Sequence, residues 1–390
     1  MKLFLIKIGK AWNVLKRDGL WRGGWRVFAA FFALFKRVRP GDILFISNGV
    51  GDSARYRTVH IAEALEFHGF KTAITIQDNP FLTSYADKFS VFVFHRVLYT
   101  DKAARCIERI KSLGKEIIFE ADDLVYDPRF LQYMAGYADM NVLERKLYEN
   151  GLGGEIVDDP YVKTCTTTTT FLADKLREKG KQVFVVRNTV SQKDVAYAED
   201  LLKNARKDSA CVRVCYLSGT LSHNQDFATI IPALLTLFER YPSWRLVLVG
   251  PIDIDERLRT FSDRIERIPF LSREKYFAMV AHMDINLAPL EIGNPFCEAK
   301  SELKWFEAGL LAVPTVAAAT GTFKEAIMDG MDGYVASTTP EWIEKVGKLI
   351  EDADLRKQVG AKAREKVLEH YTTMSADDAE YYNYLRGKIV

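Results

Sequence analysis

The sequence predicts an α/β protein made of two open parallel-sheet domains in series, preceded by an amphipathic helical arm. Three observations predict it. The 390 residues are 48% hydrophobic and 12% aromatic, enough to bury two sizeable cores and to exclude disorder for most of the chain. Short apolar runs alternate with amphipathic helical stretches twice along the chain, the pattern of strands covered on both faces by helices. The formal charge of +2 divides unevenly: residues 1–40 hold ten Lys/Arg against Asp18 alone, a balance of +9, which leaves 44 basic against 51 acidic residues, or −7, in the body. Such a split excludes a general nucleic-acid-binding body and points to a localised anionic partner.

The arm, residues 1–40, comes first. Trp21, Trp25, Phe28, Phe32 and Phe35 recur at spacings of 4, 3, 4 and 3, which aligns them on one side of a helix, with Arg22, Arg26, Lys36, Arg37 and Arg39 around the stripe. An aromatic face bordered by cations suits an anionic membrane surface; the alternative is a helix packed on the protein itself. The longest apolar stretch, Val27 to Phe35, has nine residues, against ~20 for a spanning helix. The opening apolar run, Leu3–Ile6, is too short for a signal-peptide core. Five cysteines without a C-x-x-C pair fit free thiols in a reducing compartment.

After Pro40-Gly41 the first series predicts strands at Asp42–Ser47, Thr72–Ile76, Val91–His95 and Glu116–Glu120, with helices at Ser53–Phe67 and Lys102–Leu113. Tyr161–Cys165 and Val183–Val186 add strands, giving a first domain over residues 41–190. The charged segment 191–210 reads as a linker with a helix. The second domain, residues 211–370, predicts strands at Arg213–Leu217, Trp244–Val249, Arg267–Pro269, Asp284–Ala288, Thr315–Ala319 and Gly333–Val335. Its helices fall at Gln225–Arg240, Arg273–His282, Lys300–Leu311, Thr322–Asp329 and Pro340–His370. Residues 371–390, with Tyr381, Tyr382 and Tyr384, are expected to form a helix that returns to the first domain. Ligands of such sheets bind at the carboxyl ends of the strands, so two domains in series predict a cleft between those ends.

Candidate chemistry concentrates at these ends. Ser218-Gly219-Thr220-Leu221-Ser222-His223 offers Gly, hydroxyls and an imidazole before a helix, where a phosphate meets backbone N–H groups; a capped turn is the alternative. Lys300, Lys304 and Glu307 recur at i, i+4 and i+7, one face of a predicted helix whose lysines, with Ser301, would attract a diphosphate while Glu307 accepts ribose hydroxyls. In the first domain, Gly49-Val50-Gly51 leads into a helix carrying Arg55 and Arg57, two guanidiniums suited to phosphates. The predicted strand Glu116–Glu120 runs into Asp122 and Asp123, which either position hydroxyls and stabilise positive charge or cap the next helix. His95, with Arg96, ends another strand and is either a cleft residue or a core histidine.

The segment Phe306-Glu307-Ala308-Gly309-Leu310-Leu311-Ala312-Val313-Pro314 resembles the nucleotide-binding motif of GT-B glycosyltransferases, in particular the retaining family 4 enzymes that build bacterial surface polysaccharides. The resemblance spans residues 211–370 well and 41–190 loosely. It implies a GT-B fold, two Rossmann-like domains facing each other across a cleft. It further implies that Glu307 binds the donor ribose, that Ile268 and Leu271 edge the base pocket, and that a hexosyltransferase-type reaction retains anomeric configuration without a metal or other cofactor. Two departures stand out. The second Glu of the family motif is replaced by Ala299, and the Arg/Lys pair expected within Gly219–Asn224 is missing, which leaves Lys300, Lys304 and His223 to supply positive charge. Relatives often carry a His where this chain has Asp122.

The expected protein is therefore a cytoplasmic enzyme, peripheral on the inner face of the cell membrane, that moves a sugar from a nucleotide-sugar to a lipid-linked glycan and has no nucleic-acid partner. Non-hydrolysing nucleotide-sugar epimerases and two-lobed binding proteins use similar paired sheets. The first have no use for the arm, and the second would carry an export signal.

Overall fold

The computed structural model describes residues 24, 34–49, 51–137, 140–204, 211–219 and 223–389. Most of the aromatic arm, and Thr220, lie outside the described residues.

Two six-stranded sheets, parallel throughout, follow one another in the chain. The first contains β1 (Ile43–Ser47), β2 (Thr72–Ile76), β3 (Val91–His95), β4 (Glu116–Ala121), β5 (Thr164–Thr167) and β6 (Gln182–Val185) in the order β2-β1-β3-β4-β5-β6. The second contains β7 (Val212–Leu217), β8 (Trp244–Val249), β9 (Ile265–Ile268), β10 (Ile285–Ala288), β11 (Thr315–Ala318) and β12 (Tyr334–Ala336) in the order β12-β11-β10-β7-β8-β9. Central strands such as β1, β3 and β10 are buried along their whole length, as sheets covered on both faces require.

The strand orders fix where a ligand can sit. In the second sheet chain order reverses between β7 and β10, the nucleotide-binding arrangement, and in the first it reverses between β1 and β3. Loops diverge to opposite faces at these two points and leave a crevice at the strands' carboxyl ends. The first crevice is flanked by Ser47–Gly49, Gly51 and His95-Arg96, the second by Ser218-Gly219, His223 and the segment after Ala288.

Several elements differ from expectation for local reasons. Ser53–Phe67 is three consecutive pieces, Asp52–Ala54, a π-helical turn Arg55–His60, and Ile61–Phe67. Gln225–Arg240 is divided into Asn224–Ala228 and Ile231–Arg240, the second with Pro232 in its first turn, where no N–H is needed. Strand β5 begins three residues late, because Asp159 turns the chain by accepting from Val162 N, and the β-branched threonines 164–167 then extend. The helix Lys300–Leu311 starts only at Leu303. The linker helix is Gln192–Asn204, and the last helix, Ala379–Arg386, buries Tyr381, Tyr382 and Leu385 against Ile43 and Phe45 of the first sheet.

The domains exchange anchors. Tyr56 of the first domain lies in the hydrophobic core of the second, and Phe296 and Ala299 of the second lie in a core of the first.

Candidate functional site

At the first switch point a polar row crosses the sheet. Register places Ser47 beside His95, His95 beside Glu120 and Glu120 beside Thr166. His95, almost fully buried, has its Nδ1 3.3 Å from Ser47 Oγ and its Nε2 3.0 Å from Ser53 Oγ and 3.3 Å from Asp122 Oδ1. Ser53 Oγ donates to Asp122 Oδ2 at 2.7 Å. Arg96 Nε donates to Asp122 at 2.5 Å and Nη2 to Asp123 at 3.4 Å. Burial alone would raise the Asp122 carboxyl; Arg96, with His95 and Ser53, outweighs it and holds the group well below the usual carboxylate range. Asp123 is raised, because burial outweighs Arg96 there, and it also caps the following turn through Leu124 N at 2.7 Å.

Arg57 does not reach this crevice. It is fully buried, donating to both oxygens of Glu120 at 2.7 and 3.0 Å, to Val186 O at 2.7 Å and to Asn188 at 3.0 Å. A phosphate role for Arg57 is thereby replaced by a structural one. Arg55 is partly exposed, 3.6 Å from Asp52 at the start of the same helix as Gly51.

The second switch point is cationic. Asp226, wholly enclosed, accepts from Lys300 Nζ at 2.8 Å through Oδ2, which also lies 2.9 Å from His223 Nδ1, and from Cys297 Sγ at 3.2 Å through Oδ1. Burial disfavours the Lys300 ammonium, yet Asp226 raises its pKa overall. Lys304, the second residue of the helix Leu303–Leu310, has no such partner. Its Nζ is buried with no hydrogen-bond partner among the described residues, and it sits 4.6 Å from the centre of the Tyr216 ring. Burial, then repulsion from Lys300, pushes its pKa down to about 8. Burial also lowers His223.

The loop after β7 is held from behind by Gly250. Its φ of +88° favours glycine, and a Cβ there would lie 2.0 Å from Ser218 O. Gly219 follows Ser218 at the crevice. Lys300 and Ser301 precede the helix, so Lys300, Lys304 and Glu307 do not form one helical face; Glu302 breaks it, buried and bonded to Arg187 at 2.9 Å. Ser301 Oγ accepts from Asn188 at 2.9 Å, and Ile268, which ends β9, and Leu271 just after it pack at the rim of the second core.

Glu307 is buried inside the helix Leu303–Leu310 and already has three donors. Tyr56 and Arg273 Nη1, the latter at 3.0 Å, share Oε1, while Tyr276 donates to Oε2 at 2.9 Å. Tyr56 bonds Glu307 and Asn188 bonds Ser301, so the two domains meet beside this helix. Sequence reasoning missed Ser53, Asp226, Arg273 and Tyr276. Asp226, three residues after His223, offered the only local signal.

Among the described residues, Asp226, Glu291 and Cys297 bring potential metal-ligand atoms within 4.8 Å of one another. Lys300 already neutralises Asp226 and would repel a cation there, so the group fits a metal poorly.

Comparison with known proteins follows the same division. Residues 232–376 match a family model described as glycosyl transferase-like. No curated protein matches the sequence. Among solved structures, Anabaena HepE in complex with UDP and glucose superposes with a TM-score of 0.58 at 13% identity, over 88% of this chain and 100% of HepE. Sucrose-phosphate synthase from Thermosynechococcus elongatus gives 0.59 at 14%, over 89% and 99%. The pneumococcal O-GlcNAc transferase GtfA in complex with UDP and GlcNAc gives 0.53 at 11%, over 79% and 60%. The chain has the two-domain α/β GT-B fold.

Proposed function

We propose that this protein is a glycosyltransferase that takes a sugar from a nucleotide-sugar donor bound at the second switch point. One observation carries the reading: Lys304 is a buried amine without a hydrogen-bond partner among the described residues, beside Lys300, at the crevice where this sheet order binds nucleotides. A buried unpaired ammonium is costly unless an anion joins it. The glycosyl transferase-like match covers this crevice's helix, and HepE, of the same fold, was solved with UDP and glucose.

In this reading Lys300 and Lys304, with His223 and Gly219, neutralise the diphosphate as the glycosidic bond breaks, so no metal is required. Glu307 takes the ribose, and Ile268 and Leu271 border the base. Asp122, Asp123 and His95 approach from the other domain, Asp122 anionic and fixed by Arg96, to stabilise positive charge at the anomeric carbon or orient an acceptor hydroxyl. Gly51 and Arg55 border that side. We further read the transfer as retaining and of the hexosyl type, and the acceptor as a lipid-linked glycan met at the inner membrane face, where the +9 arm faces anionic lipid.

The test is to incubate the protein with a panel of nucleotide-sugars, with and without EDTA, and follow free nucleoside diphosphate. Release that survives EDTA supports the reading. A changed sugar without nucleotide release identifies an epimerase instead. Deleting residues 1–39 should abolish binding to anionic liposomes and leave donor binding intact; retained liposome binding rejects the membrane role.

A further inference from the structure

Glu307 is a buried carboxylate that three donors from two domains already share. A carboxylate offers about four lone-pair sites, and three are filled by Tyr56, Arg273 and Tyr276. A ribose diol needs two. One donor must therefore leave before a nucleotide can be held there through both hydroxyls.

The three donors are not equivalent. Tyr276 and Arg273 stand on Arg273–Val280, in the same domain as Glu307, and Arg273 is anchored independently by two bonds to Asp194, at 2.8 and 2.9 Å. Tyr56 comes from the other domain, on the π-helical turn Arg55–His60, and that extra-residue turn aims it across the interface. Its ring packs edge-on against Phe306 and under the Arg273 guanidinium, and its hydroxyl also accepts from Arg273 Nη1 at 2.8 Å.

We propose that Tyr56 is a placeholder for the donor ribose: its hydroxyl occupies Glu307 and latches the two domains together, and nucleotide binding displaces it. This inference rests on the donor reading of Glu307. Opening the domains removes Tyr56 while leaving Arg273 and Tyr276 to orient the carboxylate. The latch thus couples occupancy of the nucleotide site to domain opening and re-closure, and keeps the buried carboxylate satisfied between turnovers.

Binding of UDP, ADP and GDP to wild type, Tyr56→Phe and Glu307→Gln tests it by calorimetry, using whichever nucleotide wild type binds. Tyr56→Phe keeps the ring and should tighten binding by about ten- to a hundredfold, the effect of removing one competing hydrogen bond to a charged group, whereas Glu307→Gln should weaken it. Hydrogen exchange of wild type gives a second readout that needs no variant: amides of residues 55–60 should exchange faster with nucleotide bound. Weaker binding by Glu307→Gln with unchanged or weaker binding by Tyr56→Phe, or slower exchange at 55–60, overturns the latch alone. If wild type binds no nucleotide, or Glu307→Gln binds as wild type does, the donor reading falls and the latch with it.

Discussion

Arg96 donates to Asp122 at 2.5 Å from a backbone held in the left-handed region, with φ of +50°. Non-glycine residues avoid that conformation, and strained residues of this kind persist where surrounding contacts over-determine them. Here the contacts fix an anionic carboxylate at the first switch point. Asp122→Asn keeps the shape and removes the charge. Turnover should fall on the order of 100-fold, as when one preorganised electrostatic group is lost, while nucleotide affinity, which the proposed donor site places on Lys300, Lys304 and Glu307, stays within about twofold. Steady-state kinetics with calorimetric binding checks it; an equal loss in both rejects a role for Asp122 in the chemical step.

The same strain makes a stability prediction. Arg96→Ala loses the ion pairs and keeps a Cβ in the left-handed region; Arg96→Gly loses the ion pairs and relieves the strain. The glycine variant should be the more stable of the two by about 1 kcal/mol, measured by urea denaturation. Equal stability of the pair would show that the backbone at Arg96 is not strained.

How much of this was legible depended on the range of the forces involved. The strand series was legible because β1, β3 and β10 are short apolar runs buried on both faces, and Glu307 stood out through the motif around it. Lys304 was read correctly as helical, Lys300 was not: Glu302, tied to Arg187 from 115 positions away, stops the helix, and no local propensity records that bond. Arg57 was misplaced for the same reason. An arginine is almost never fully buried unless paired, and its partner Glu120 lies 63 positions on. Tyr56 and Glu307, 251 positions apart, meet only because the domains close on one another.

The burial of Arg57 makes its own forecast. Arg57→Met leaves the Glu120 carboxylate enclosed without its counter-charge, which should cost about 3–5 kcal/mol. Arg57→Met combined with Glu120→Met removes both charges and should recover much of that loss. Nucleotide affinity of the folded double variant should match wild type within about twofold. A drop beyond tenfold would return Arg57 to the donor site.

Lys304 makes affinity itself pH-dependent. With its pKa pushed down to about 8 by burial and by Lys300, the free enzyme begins to lose this charge within the ordinary assay range. A bound diphosphate favours the ammonium, so binding takes up a proton: about half a proton near pH 8, approaching one near pH 9. The sign follows: affinity is full below pH 7 and falls as pH rises through 8, by about tenfold per unit once the free amine dominates. Calorimetry in two buffers of different ionisation enthalpy measures the uptake directly. Lys304→Met should bind more weakly at pH 7 and lose the slope above pH 8. A variant that keeps the wild-type slope would assign the proton to another group and remove Lys304 from the diphosphate site.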